Sequence, residues 1–139
     1  MVSLPEKSLL RRQLRQRRRQ ISLQQRQQAQ KQLVTVARRA RLLRRGWDYG
    51  AYWPMPEECP VQMLLQTLQA LNARVWLPQL PPRGQRRLRF CAWTGAGRWQ
   101  RKRFGLHQWH GRYFRAVQRL RCVWVPLVGF DHKGQRLGM

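Results

Sequence analysis

The stretch that most narrows the folds open to this chain is a strand–helix–strand unit between Trp47 and Pro78. Trp47 to Trp53 reads as a short strand, and Pro54, Pro56 and Pro60 impose a loop after it. From Val61 onward, Leu64, Leu65, Leu68 and Leu71 recur at helical spacing, so one helix face is apolar. Asn72-Ala73 closes that helix, and Arg74 to Leu77 is a second strand ending at Pro78. Strand, helix and strand in this order make a βαβ unit, with a right-handed crossover and a parallel strand pair.

The residues Cys122 to Met139 extend the same logic. Val123 to Val128 is apolar except for the break at Pro126, with no polar alternation, which predicts a strand buried on both faces of a parallel sheet. It empties into Gly129-Phe130-Asp131, a loop through Gly134, and Arg136-Leu137-Gly138. Open α/β sheets bind ligands at the carboxyl ends of their strands. Glycine there lets the backbone approach a phosphate, and a guanidinium supplies fixed donors. The sequence stops at Met139 inside that loop, so the expectation is a single incomplete domain over 1–139, lacking the C-terminal part of its fold.

Between these landmarks, Leu88 to Trp93 reads as a third strand, Gly95 to His110 as loop, and Tyr113 to Leu120 as a short helix. Residues 1–46 read as basic helices preceding the α/β core of 47–139. Ser3 to Glu6 fits a capping box, followed by a helix with Leu10 and Leu14 on one face and Lys7, Arg11, Arg15 and Arg18 on another. A second box at Ser22 to Gln25 opens a helix expected to reach about Arg45, with Val34, Ala37, Arg38 and Arg41 alternating faces along it and Gly46 as C-cap.

Charge is the compositional outlier: 29 basic residues against 5 acidic ones give a net charge of +24. That balance attracts polyanions whatever the fold. Fourteen of the bases lie between Lys7 and Arg45. They fit two solvated amphipathic helices, a nucleic-acid docking face, or a stripe holding one or two phosphate ligands for a small molecule. No apolar run is long enough for a membrane span or a signal peptide, so a cytoplasmic protein is expected. Cys59, Cys91 and Cys122 form no CxxC and read as free, mostly buried thiols. His107 and His110 have the spacing of one helix face but no third ligand nearby, and neither GxGxxG nor a Walker A motif occurs. Glu57-Glu58, just past the first strand in a proline-rich loop, reads either as exposed acids offsetting a basic surface or as a carboxylate for the ring N–H donors of a heterocycle. Trp53 neighbours that loop.

Taken in order, these residues resemble the 5-formyltetrahydrofolate cyclo-ligase family, also called 5,10-methenyltetrahydrofolate synthetases. The match rests on VPLVGFDHKGQRLGM at Val125 to Met139 and on Lys7-Ser8-Leu9-Leu10-Arg11, similar to the family's K-x-x-x-R. It rests also on Tyr52-Trp53-Pro54-Met55-Pro56-Glu57-Glu58, Val75-Trp76-Leu77-Pro78 and Phe104-Gly105-Leu106. The chain departs from the family pattern in having Pro60-Val61 where Asp-Thr is usual, and Gln108-Trp109 where Glu-Pro is usual.

The resemblance implies a three-layer α/β/α fold with a mostly parallel sheet, and ATP-dependent closure of 5-formyltetrahydrofolate to 5,10-methenyltetrahydrofolate. It implies ATP contacts from Lys7, Ser8, Leu9, Leu10, Arg11, Arg136, Leu137, Gly138 and Met139, with Arg136 catalytic. Trp53 and Glu58 would hold the folate. Mg2+ would accompany ATP, but the family's aspartate for it falls beyond Met139, so no metal ligand is expected in this chain. The other readings are a basic nucleic-acid- or ribosome-binding module and an inactive fragment of the enzyme; oligomeric state is left open.

Overall fold

The computed structural model of the chain describes residues 4–94, 97–102 and 105–138. Two helices lead, α1 (Leu4–Arg19) and α2 (Leu23–Arg39). Ser22 sets the corner between them: its hydroxyl accepts from Gln25 N at 3.1 Å, and Gln25 Oε1 accepts from Ser22 N at 2.9 Å. This is the expected capping box; the one at Ser3 falls outside the described residues. α2 ends at Arg39 instead of running on to Arg45. Arg41 takes a left-handed φ of 55° and Leu42 N donates back to Ala37 O at 2.9 Å, so the helix closes on its own chain without glycine. Tyr49 explains why it stops early. Its hydroxyl donates to Leu42 O and accepts from Arg44 N, pinning that segment in a non-helical path.

The βαβ unit forms as expected. β1 (Asp48–Gly50) and β2 (Arg74–Gln79) pair in parallel, with Tyr49 opposite Val75, and α3 (Gln62–Ala70) makes the crossover. β3 (Arg89–Ala92) adds to β2 antiparallel, and β6 (Phe114–Ala116) adds to β3 antiparallel. β7 (Cys122–Val123) joins the other edge of β1 in parallel, giving the order β6-β3-β2-β1-β7. β3 alone runs against the other strands, so the class is α/β with a mostly parallel sheet.

Three segments differ from expectation. Gly95 to His110 holds an antiparallel hairpin, β4 (Arg98–Arg101) and β5 (His107–His110), rather than only loop. Tyr113 to Leu120 holds β6 and one 3-10 turn at Val117–Arg119. The last strand is shorter than Cys122 to Val128. Trp124 N still donates to Gly50 O at 2.8 Å, but the chain then leaves the sheet at Pro126, which has no N–H to continue the ladder. Val125 and Leu127 stand 47% and 38% exposed, so this run is not buried on both faces. The chain re-forms as a small hairpin, β8 (Gly129–Phe130) with β9 (Arg136–Leu137).

The core lies between α2, α3 and one face of the sheet. Leu64, Leu65 and Leu68 have no exposure and meet Tyr49, Val75 and Leu77 from the strands and Val34 and Ala37 from α2. Each fully buried leucine contributes about 1.5–3 kcal/mol. Strand alternation sends Trp76 to the opposite face, where it packs with Phe90, Ala92, Leu120 and Val123. Cys91 is buried, Cys122 half-buried and Cys59 exposed, and all three are free thiols. Among the described residues, no helix is long and apolar enough to cross a membrane.

Candidate active site

β1 and β7 are parallel neighbours, and α1 stands beside the loops that follow them. Its inward positions are unexpected. The half-buried residues are Lys7, Arg11, Leu14 and Arg18, one face of the helix at i, i+4, i+7 and i+11. Leu9 and Leu10 are instead 57% and 41% exposed, and Arg15 is exposed. The expected grouping of Leu10 with Leu14 therefore does not hold; the helix turns a mainly cationic face toward the protein. Withdrawing cations from water is unfavourable unless anions or carbonyls meet them. Arg11 Nε donates to Gly138 O at 2.9 Å, and Leu14 packs so close to Gly129 that a Cβ there would lie 2.7 Å from Leu14 Cδ1. The two Nη groups of Arg11 have no partner among the described residues, and Arg18 Nε is buried without one.

The hairpin on which Arg11 rests is locally fixed. Asp131 Oδ1 accepts from Lys133 N at 2.9 Å and Gln135 N at 2.8 Å, and Gly134 supplies the left-handed φ of 74° that closes the turn. Arg136 pairs with Phe130 across the hairpin and is exposed, while Leu137 and Gly138 are half-buried. Lys7, Arg11, Leu137 and Gly138 are thus brought to one region. Ser8, Leu9 and Leu10 lie on the same helix but face solvent. Met139 lies outside the described residues.

Glu57 and Glu58, adjacent in sequence, part company. Glu57 turns outward to Arg19, whose Nε lies 2.8 Å away, and to Arg18 at 4.0 Å. Glu58 turns inward and is 5% exposed. Its Oε2 accepts from Met55 N at 2.9 Å and its backbone N–H donates to Met55 O, so the carboxylate is held by its own turn. Its Oε1 is buried with no hydrogen-bond partner among the described residues.

Glu58 lines a cavity of about 190 Å³ whose other walls are largely apolar: Tyr52, Trp53, Leu77, Pro78, Leu106 and Trp109, closed by Trp99. Trp53 and Trp99 have ring centroids 4.5 Å apart, and Trp99 meets Trp109 edge-on at 5.3 Å. Trp99 and Trp109 face each other across the β4–β5 hairpin, which therefore forms one side of the cavity. Gln108 lines it as a neutral, buried amide. Its Oε1 accepts from Leu80 N at 3.0 Å, and its amide nitrogen lies 2.9 Å from His110 Nε2. Burial, then the nearby Lys102 and Arg98, push the His110 pKa down. Burial likewise pushes the Tyr52 phenol up, so it stays protonated; its hydroxyl donates to Cys59 O at 3.0 Å.

Trp99, Gln108 and Tyr52 escaped the sequence reading as site residues. Tyr52 and Gln108 fell within stretches compared with the family, and nothing in the sequence reading pointed to Trp99. His107 and His110 lie on a strand, not a helix face, and no group of three or more His, Cys, Asp or Glu side chains among the described residues is arranged to hold a metal ion.

The strand ends of this α/β sheet meet an inward-facing cationic helix on one side and a buried carboxylate in an aromatic cavity on the other, the place where open α/β folds bind small molecules. The chain belongs to the 5-formyltetrahydrofolate cyclo-ligase family, whose sequence model matches residues 3–139. It is 26% identical over 142 aligned residues to the 5-formyltetrahydrofolate cyclo-ligase of Haemophilus influenzae, covering 99% of this chain and 75% of that protein. Its fold matches the 5,10-methenyltetrahydrofolate synthetase of Aquifex aeolicus with a TM-score of 0.80 at 18% identity, over 96% of this chain and 66% of that one. The Mycoplasma pneumoniae synthetase matches with a TM-score of 0.65 at 20% identity, over 96% and 71%. This chain thus spans about two thirds to three quarters of the length of these relatives.

Proposed function

We propose that this protein binds 5-formyltetrahydrofolate in the Glu58 cavity and ATP along the inward face of α1, and that it closes the formyl group into the 5,10-methenyl ring. The buried, unpartnered Oε1 of Glu58 carries the reading. A buried acceptor without a donor costs about 1–3 kcal/mol, more for a charged group, and an incoming ring N–H removes that cost. Trp53 and Trp99, whose rings touch each other, supply an aromatic wall against which a flat heterocycle packs.

The reaction has the formyl oxygen attack the γ-phosphorus as ADP leaves; the folate's second nitrogen then attacks the activated carbon, its proton passes to solvent, and phosphate departs. Phosphoryl transfer asks chiefly for positioning and positive charge. The free Nη donors of Arg11, together with Lys7, hold the phosphates from α1; Arg136 and the Gly138 backbone approach from the hairpin, with Arg136 as the charge nearest the transferring group. Mg2+ neutralises phosphate charge in such chemistry. The described side chains offer it no ligand set, and no step is assigned to a metal held by this chain.

The test is optical. With 5-formyltetrahydrofolate, ATP and Mg2+, the methenyl product's near-ultraviolet band should grow only when ATP is present. Arg11→Ala should lose about 100-fold or more in rate, as expected for two lost charge-assisted bonds. A chain that neither forms the band nor binds 5-formyltetrahydrofolate overturns the reading. Retention of nucleic acid decides nothing, since a net charge of +24 produces it under any function.

A further inference from the structure

We infer that Arg26 is a positioning residue that clasps the Glu58 loop to the end of α1, so that nucleotide and folate binding are energetically coupled. Its one guanidinium reaches three carbonyls from three segments: Nη2 donates to Arg18 O at 3.1 Å in the last turn of α1, Nε to Ile21 O at 3.3 Å in the corner, and Nη1 to Pro56 O in the loop before Glu58. Glu57 reinforces the clasp from the loop side through Arg19 and Arg18.

The placement is not explained by helix stability. Arg26 occupies the first turn of α2, where a cation opposes the helix dipole. Neighbouring Arg18 and Arg19 are themselves cationic and both meet Glu57. What the position gains is reach: a planar fork spans several acceptors in a way an ammonium does not.

The consequence is mechanical. α1 is a rigid rod whose Arg11 is tied to Gly138 and whose Arg18 is tied through Arg26 to Pro56. Seven residues of helix separate the ties by about 10 Å. Glu58 is fixed by its own turn to Met55, so moving Pro56 moves Glu58. Phosphates that draw Arg11 and Lys7 inward therefore settle α1 in the position that holds the Glu58 loop, and folate binding does the reverse.

The inference rests on the proposed function, and its test separates the two. Titration calorimetry would measure 5-formyltetrahydrofolate binding to the full chain, with and without a saturating non-hydrolysable ATP analogue and Mg2+. The unaltered chain should bind folate about 5- to 150-fold more tightly with the analogue, the usual span of coupling between sites. In Arg26→Gln the ratio should fall to about twofold or less while thermal unfolding stays cooperative. Arg17→Gln, an exposed α1 side chain without a partner among the described residues, should keep the full ratio. Glu57→Gln weakens the same clasp from the loop and should lower the ratio even if Arg26→Gln does not fold. Folate binding with no coupling in the unaltered chain, or with undiminished coupling in the folded clasp variants, overturns the inference alone. No folate binding at all overturns the functional reading and the inference with it.

Discussion

In Glu58→Gln the side chain keeps its volume and loses its charge, and the structure sets what each loss is worth. On the folding side, the amide oxygen can still accept from Met55 N, the 2.9 Å bond now made by Oε2. A hydrogen bond to a charged acceptor contributes about 1.5–3 kcal/mol and one to a neutral acceptor about 0.5–1.5, so that bond weakens by about 1 kcal/mol. Against this, the variant no longer buries a carboxylate that is 5% exposed and has one oxygen unpartnered. Removing such a burial is worth at least as much, because a charge taken out of water without full compensation costs several kcal/mol. Stability should therefore hold or rise.

Binding should move the other way. If two ring N–H donors meet the carboxylate, losing charge assistance and one acceptor removes about 3–6 kcal/mol, or roughly a hundred- to ten-thousandfold in Kd. Calorimetric melting and folate titration on the same preparation read both sides. A melting temperature more than about 5 °C lower with undiminished binding would refute the reasoning, since Glu58 would then hold the loop and not the ligand.

Asp48 is the structural counterpart: buried, it takes bonds from Arg74, Arg115 and Trp76 Nε1, and its pKa is lowered chiefly by the Arg74 bond. Its contribution is complete above the ordinary carboxylate pKa and lost as pH falls through the lowered one, so Asp48→Asn should cost about 1–3 kcal/mol at pH 7 and flatten the acid limb of stability below about pH 4. His110 favours its neutral form in the fold, so its contribution is present above the ordinary histidine pKa and lost below it; urea unfolding from pH 7 to 5 should show a decline that His110→Gln reduces. Gly129→Ala should cost about 0.5–1.5 kcal/mol by turning the end of the Leu14 side chain aside, and Leu14→Ala in the same chain should relieve part of it; strict additivity in chemical denaturation would count against α1 resting on the hairpin.

The βαβ unit was legible because periodicity and proline placement are local signals, and the leucine stripe of α3 had only one face to bury. The Glu57-Glu58 pair was legible as a candidate from its place after a strand; its pattern alone left open which of the two turned inward, and only the family resemblance singled out Glu58. That choice depends on Arg18 and Arg19, distant in sequence, drawing Glu57 out. The faces of α1 were legible only in part, for a related reason: Lys7, Arg11 and Arg18 do share a face, but Leu14 joins them and Arg15 does not. Apolar periodicity assumes that a helix packs to bury its leucines. This one docks through Arg11 on Gly138 and Leu14 on Gly129, partners at the far end of the chain, and leaves Leu9 and Leu10 in water.

The β4–β5 hairpin shows the same limit more sharply. Arg98, Gln100 and Arg101 dilute the alternation that would mark a strand, and its apolar content is concentrated in the cross-strand pair Trp99 and Trp109. Gln108 is buried beside that pair, where a sequence pattern expects an apolar residue. Its burial is tolerable only because Leu80 N and His110 satisfy its amide. Leu80 belongs to the loop after β2, 28 residues away, so no local window contains the reason. The hairpin is held in place by hydrogen bonds and tryptophan contacts around the cavity, the same groups that shape the cavity itself. A segment whose structure depends on the site it encloses carries little local signal, and the part of this chain hardest to read in sequence is therefore the part that builds the cavity wall.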